Sequence, residues 1–251
     1  MLLTEAQRAV FDDTSVTKSV TLNFYRGIPT LLYPSNTLYP SINLLPGVQN
    51  GRELVLAISG DKVKSESIKV TESICNNKTI VFGTVIANKM TATVETDIDL
   101  KGLYVEYTLV ADGITLPIFY GIVDDSTRST VTNRDIRNIV AYDILYSYLD
   151  MDITEWFSTQ LTFPMTIYQL RIALANNFGL EYQPTTLVND SLVIQNEYDL
   201  TNETLTARNL LKYICELNGV FASVNRYQQV RFVSLVPFTL LYPSNTLYPI
   251  N

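Results

Sequence analysis

Apolar and polar side chains alternate from Thr17 to Tyr25, the pattern of a strand with one buried face, after a short stretch from Glu5 to Phe11 that fits a helical turn. Periodicity stops between Gly27 and Asn50, where Pro29, Pro34, Pro40, Pro46 and Gly47 predict a long loop with extended, polyproline-like segments. A series of short strands follows. The expected spans are Leu54 to Ser59, Val63 to Thr71, Ala92 to Val94, Gly102 to Ala111, Leu116 to Asp124, Thr130 to Thr132 and Arg134 to Asp143. Turn signals at Ser59-Gly60-Asp61, Asn76-Asn77 and Ala111-Asp112-Gly113 space them as an antiparallel barrel or sandwich would. Asp112-Gly113 suits a two-residue hairpin, because both residues tolerate positive φ.

Around Asp150 the period changes from two to about 3.6. Thr166 can cap a helix that carries Ile167, Leu170, Leu174 and Phe178 on one face and stops at Gly179; Thr206 opens a second with Leu210, Leu211, Ile214 and Leu217, stopped by Gly219. A short strand, Ser191 to Gln195, lies between them, and a hairpin from Val220 to Leu235 turns at Asn225-Arg226-Tyr227. The pattern therefore predicts a β-rich, α+β protein: an antiparallel, barrel-like domain over 1–149 with a Pro/Tyr-rich loop at 27–50, a smaller α+β domain with two helices over 150–236, and a Pro/Tyr-rich segment at 237–251.

Thr30-Leu31-Leu32-Tyr33-Pro34-Ser35-Asn36-Thr37-Leu38-Tyr39-Pro40 recurs without a change at Thr239 to Pro249. Two copies do not make a solenoid, which needs about three stacked units. One reading is a pair of proline-stiffened surface loops whose rings pack on the nearest sheet. The other is a docking arm, since stiff aromatic segments lose little entropy on binding. On the second reading Tyr33, Tyr39, Tyr242 and Tyr248 are the interface candidates.

Composition narrows the chemistry. The 251 residues include no His, which removes the usual neutral-pH general base and the commonest metal ligand together. Ser, Thr and Cys side chains therefore lack the partner that an acyl-transfer triad requires. Glycine-rich phosphate loops in a strand-loop-helix setting are missing. Acidic residues group at Glu95-Thr96-Asp97-Ile98-Asp99 and at Asp150-Met151-Asp152-Ile153-Thr154-Glu155, but neither group has the spacing of an EF-hand loop, and both read as solvated loops. Trp156 beside Glu155 reads as a core residue at the domain junction, with a sugar platform as the alternative. No catalytic, metal-binding or cofactor-binding residue is assigned, and no cofactor is expected.

A net charge of -7 repels phosphate backbones and weighs against nucleic acid as a partner. No apolar run approaches the ~18 residues of a membrane span, and the first residues lack the basic and apolar regions of a signal peptide. Cys75 and Cys215 read as buried thiols made in a reducing cytoplasm. Sixteen Tyr residues supply rings that bury while their hydroxyls stay wet, which suits protein contacts and also sugar stacking.

Several short motifs occur in a fixed order: Phe82-Gly83-Thr84, Leu100-Lys101-Gly102 followed by Val105-Glu106-Tyr107, Phe119-Tyr120-Gly121-Ile122-Val123-Asp124, and Val140-Ala141-Tyr142-Asp143. They continue with Leu161-Thr162-Phe163-Pro164, Leu187-Val188-Asn189-Asp190, Thr206 to Leu211, Glu216-Leu217-Asn218-Gly219 and Arg226 to Val230. Together with the Tyr-Pro-Ser-Asn-Thr-Leu-Tyr-Pro loop, this order resembles the baseplate hub proteins of phage and prophage tails, the N-terminal hub region of siphophage tail-associated lysins and tail-tip proteins. The resemblance implies a non-enzymatic virion component, made in the bacterial host cytoplasm, of which three copies form a ring that closes the tail tube. The partners it implies are further copies of the chain, the distal tail protein and the tape-measure protein. A cell-wall carbohydrate-binding tail module is the first alternative, marked by an exposed aromatic row, and a carboxylate-based wall hydrolase is the second.

Overall fold

The computed structural model describes residues 5–27, 48–49, 52–64, 66–73, 81–129, 135–178, 181–195 and 204–234. The chain divides into two compact units, one formed by Met1–Glu72, Ala87–Tyr146 and Arg226–Gln228, the other by Ser73–Ile86, Ser147–Asn225 and Gln229–Asn251.

The first unit opens with helix α1 (Glu5–Asp12) and is built on eight strands: β1 (Lys18–Gly27), β2 (Val48–Gln49), β3 (Arg52–Ser59), β4 (Lys69–Thr71), β5 (Lys89–Glu95), β6 (Tyr104–Ala111), β7 (Ile114–Arg128) and β8 (Ile136–Tyr142). They form one sheet in the order β2-β3-β1-β6-β7-β8-β5-β4, and every pairing is antiparallel. Strict alternation selects the buried face: on β5, Met90, Ala92 and Val94 turn inward while Lys89, Thr91, Thr93 and Glu95 turn outward. Leu22, Phe24, Ile58, Leu100, Val105, Phe119, Val123, Ile139 and Ala141 complete that core.

The expected barrel does not close. A single 3₁₀ turn, Gly60–Lys62, carries the chain from β3 to the outer edge of β5, where Val63 bridges Val94 and the Lys64 N–H donates to Thr93 O at 3.0 Å. Four residues reach at most ~14 Å, so this link obliges the sheet to curl around its core. The seam nevertheless stays unzipped among the described residues, because β2 has two residues and β4 three, too few for a closing ladder.

The β6–β7 hairpin turns at Asp112 (φ 48) and Gly113 (φ 74), between the paired residues Ala111 and Ile114, as the Asp-Gly pair predicts. Pro117 explains an irregularity in the same hairpin: it has no N–H to give, and the register slips between Tyr107 and Thr108, its partner.

The second unit contains α3 (Thr154–Thr159), β9 (Met165–Thr166), α4 (Ile167–Phe178), β10 (Glu181–Tyr182), β11 (Val193–Ile194), α5 (Ala207–Asn218), β12 (Phe221–Val224) and β13 (Gln229–Val233); α2 (Ile144–Leu149) precedes them. Helices α2 and α3 add to the two helices expected there. Each has six residues, too short for a 3.6 period to register in sequence. Strands β10, β13 and β12 form a three-stranded sheet, and β9 pairs with β11. Both predicted N-caps are present, whereas Gly179 lies outside the described residues. Thr166 Oγ1 accepts from Gln169 N at 3.2 Å while Gln169 Oε1 accepts from Thr166 N at 2.8 Å, a reciprocal capping box, and Thr206 Oγ1 accepts from Asn209 N at 3.2 Å.

Candidate functional site

The face of the first sheet opposite the core carries a group of aromatic side chains. Strand register aligns Leu54 on β3 with Tyr25 on β1, Tyr25 with Tyr104 on β6, Tyr104 with Ile122 on β7, Ile122 with Tyr142 on β8, and Tyr142 with Lys89 on β5. All are outward positions, because their neighbours Phe24, Val105, Val123, Ala141 and Met90 are core residues. Tyr120 adds a ring from the next row of β7, and Tyr146 adds one from α2.

These rings are locked together. Tyr104 and Tyr120 stack with centroids 6.1 Å apart, and the Arg52 guanidinium lies 4.2 Å and 4.8 Å from the two centroids. Tyr142 and Tyr146 stack at 4.2 Å, with Lys89 Nζ 5.8 Å from the Tyr142 ring. Cations over ring faces are attracted by the ring quadrupole. Tyr25 donates its hydroxyl proton to Glu106 at 3.0 Å, and burial, with the Glu106 charge, pushes the Tyr25 phenol up to about 12. The Tyr120 hydroxyl is buried and has no hydrogen-bond partner among the described residues.

Two motif strands meet here. Phe119-Tyr120-Gly121-Ile122-Val123 is the middle of β7, and Val140-Ala141-Tyr142 ends β8 with Asp143 directly after it. Gly121 is needed for their approach: a Cβ at this position would sit 2.1 Å from Tyr142 O. Asp143, 2% exposed, accepts from Asn88 N at 2.7 Å and from Leu145 N at 3.0 Å, so it caps α2 and ties it to the residue before β5. Burial pushes its carboxyl up to about 7.

Other candidates carry less chemistry. A cleft of about 1250 Å³ in the first unit is lined by Lys18, Lys62 and Lys64 but also by Asp61, Glu66 and Glu95, so charges of both signs balance across it. In the Glu95-to-Asp99 group, Asp99 faces Arg137 at 3.5 Å. In the Asp150-to-Glu155 group, Asp150 pairs with Arg208 at 3.0 Å and Asp152 accepts from Thr154 N at 2.9 Å. Among the described residues no group of three or more acidic or thiol side chains is placed to hold a metal. Trp156 is half-buried on α3, and Cys215 is a buried free thiol. Tyr33, Tyr39, Tyr242, Tyr248 and Cys75 lie outside the described residues.

An aromatic row was the expected mark of a sugar-binding module, and a row is present. Its ring faces are largely taken, however: Arg52 and Tyr120 lie on Tyr104, and Tyr146 lies on Tyr142. Only Tyr146, 44% exposed, offers a wide open ring.

No family model matches the chain, and no curated protein matches it. Among solved structures, the 43 kDa tail protein of prophage MuSo2 from Shewanella oneidensis aligns with a TM-score of 0.51 at 14% identity, over 88% of this chain and 56% of that one. A tail protein from Neisseria meningitidis MC58 aligns with a TM-score of 0.38 at 16% identity, over 58% of this chain and 41% of that one. The first likeness is one of fold, and the chain spans little more than half the length of the Shewanella protein.

Proposed function

We propose that this chain is a structural component of a phage or prophage tail, and that within the tail it serves as the hub at the tip or baseplate. The observation that carries this reading is the fold it shares with a prophage tail protein over 88% of its length. The order of the short motifs along the chain supports it independently of the fold.

In this reading three copies close the tail tube as a ring, with the distal tail protein and the tape-measure protein as neighbours. The work is geometric: matched surfaces are buried between copies, and closed symmetry stops growth at a fixed number. Nothing in such a role calls for a catalytic residue, and the site assembled above is a set of locked rings and cations rather than a nucleophile beside a base. The protein would be made in the host and carried in the virion tail.

Immunogold labelling of tails purified from the phage or prophage that encodes the chain tests this. Label at one end of the tail, and tails lacking a closed tip when the gene is deleted, are the expected results. Intact tails without label would end the reading.

A further inference from the structure

We propose that the outer face of α5 seats the chain's own segment 239–249, the second of the two identical Leu-Tyr-Pro stretches. The contact lies within one copy and goes beyond the tail reading, which does not depend on it.

Tyr213 and Leu217 stand one above the other on α5, at i and i+4, and are 53% and 47% exposed. Leu210, Leu211, Ile214 and Cys215 supply the buried side of the helix, so this stripe faces away from the core. At roughly 100° per residue, Lys212 and Glu216 lie to one side of the stripe and Asn218 to the other. The Phe82-Gly83 segment packs on the first side. A Cβ on Gly83 would stand 2.2 Å from Glu216 Cγ and 3.0 Å from Lys212 O, and Gly83 N donates to Val220 O at 3.2 Å. Val188-Asn189 packs on the second side, where Asn189 N donates to Asn218 Oδ1 at 2.8 Å and Asn189 Nδ2 donates to Leu217 O. The stripe therefore runs between two anchored segments, each with an exposed apolar side chain, Phe82 and Val188. At the other end of the helix Met151, also exposed, is held by the bond from Ala207 N to its carbonyl at 3.1 Å. Apolar surface gathered in this way marks a binding site.

The chain leaves the second unit beside this stripe. β13 ends with Val233 opposite Phe221, and Val220 N donates to Cys215 O at 3.0 Å, so Ser234 departs near the C-terminal turn of α5. From Leu235 to Asn251 there is no charged residue, in a protein of which 17% is charged. Such a stretch has apolar surface to remove from water and no charge to keep in it. Five steps from Ser234 to Thr239 span at most ~17 Å, which brings the segment onto Leu217. Its length also matches. In the polyproline form that Pro243 and Pro249 favour, the six steps from Tyr242 to Tyr248 are two full turns and cover ~19 Å, so both rings fall on one side. Helix α5, with 12 residues, is ~18 Å long. One Leu-Tyr-Pro triplet then meets Leu217 and Val188, and the other reaches the Met151 end.

Limited chymotrypsin digestion of the full chain, read by peptide mass, tests the seat. A seated segment is cut only in molecules where it has lifted off, so cleavage after Leu241 and Leu247 is expected to be slow in the native chain and at least about tenfold faster in Tyr213→Asp with Leu217→Asp. Both side chains are exposed, circular dichroism confirms that the variant folds, and Leu217→Ser alone is the milder change. Flanking residues separate this segment from the identical 30–40, since Phe238 and Ile250 border one where Pro29 and Ser41 border the other. A second variant, Leu241→Asp with Leu247→Asp, empties the seat. A fluorescent synthetic peptide with the sequence of 239–249 is expected to bind this variant, and to bind the native chain and the α5 variant at least about tenfold more weakly. Native cleavage as fast as that of the free peptide, cleavage unchanged by the α5 substitutions, or a peptide that does not bind the emptied variant would each overturn the proposal. Protection that grows with protein concentration would overturn it in favour of a segment from a second copy. Faster cleavage within 30–40 alone in the α5 variant would overturn it in favour of the first stretch. Labelling of tails does not depend on any of these outcomes, so the tail reading and this contact fail separately.

Discussion

Two buried acids of this chain meet burial differently. Asp190 faces the Arg171 guanidinium through two bonds of 2.9 Å and 2.7 Å and also accepts from Leu187 N, while Arg171, 2% exposed, donates to Thr185 O. The charge is taken from water and offset by a bidentate, charge-assisted partner. Asp143 is held by backbone N–H groups, and desolvation dominates, with Glu72 adding repulsion. Its carboxyl titrates near 3.8 when unfolded and at about 7 when folded. Between those values the folded protein keeps a proton that the unfolded chain has lost, so this residue's contribution to stability falls as pH rises from about 4 to about 7 and is level above. Three pH units bound the loss at roughly 4 kcal/mol. Asp143→Asn removes the titration. Urea unfolding of both proteins at pH 4.5 and 7.5 is expected to show the native protein losing ground to the variant at the higher pH; a difference independent of pH would show that Asp143 is ionised when folded.

At the scale of elements, β7 depends on a residue without a side chain. Gly121 sits where Tyr142 O of β8 and the Phe119 ring close in, at 2.1 Å and 2.7 Å from where a Cβ would stand. A carbonyl of a paired strand cannot yield as a flexible side chain does, so Gly121→Ala is expected to cost about 3 kcal/mol or more, read as a lower urea midpoint. A midpoint within experimental error of the native one would mean that β7 and β8 can part here. Most of the strands were legible in sequence because alternation and turn residues are local: β6 ends at Ala111, as Asp112-Gly113 requires, and α5 begins after Thr206. Helices α2 and α3 were not, since six residues carry too little periodicity. Gly121 read only as a motif member, because the carbonyl it admits comes from another strand. The aromatic row was illegible for the same reason: Tyr25, Tyr104 and Tyr142 are far apart in sequence, and only the register of β1, β6, β7 and β8 puts them in line. Barrel closure failed on strand length at the seam, which alternation alone does not report.

At the scale of the whole molecule, copies that meet through a local attraction must first overcome a global repulsion, since each carries a net charge of -7. The two act over different distances. Repulsion between whole molecules is summed over tens of ångströms, whereas charges buried in a contact between copies would lie within a few ångströms of each other and be partly shielded from solvent. Salt separates them: the Debye length is about 30 Å at 0.01 M, about 8 Å at 0.15 M and about 3 Å at 1 M. Raising salt from 0.01 M to 0.15 M removes the repulsion and leaves the contact, so self-association is expected to strengthen. Between 0.15 M and 1 M screening reaches the contact itself, and association is expected to weaken until the apolar part of the contact is what remains. Sedimentation at the three salt concentrations reads this directly. Association that only falls from the lowest salt upward would mean that charge pairs outweigh the net charge even at long range. Association that only rises would mean that the interface is apolar throughout.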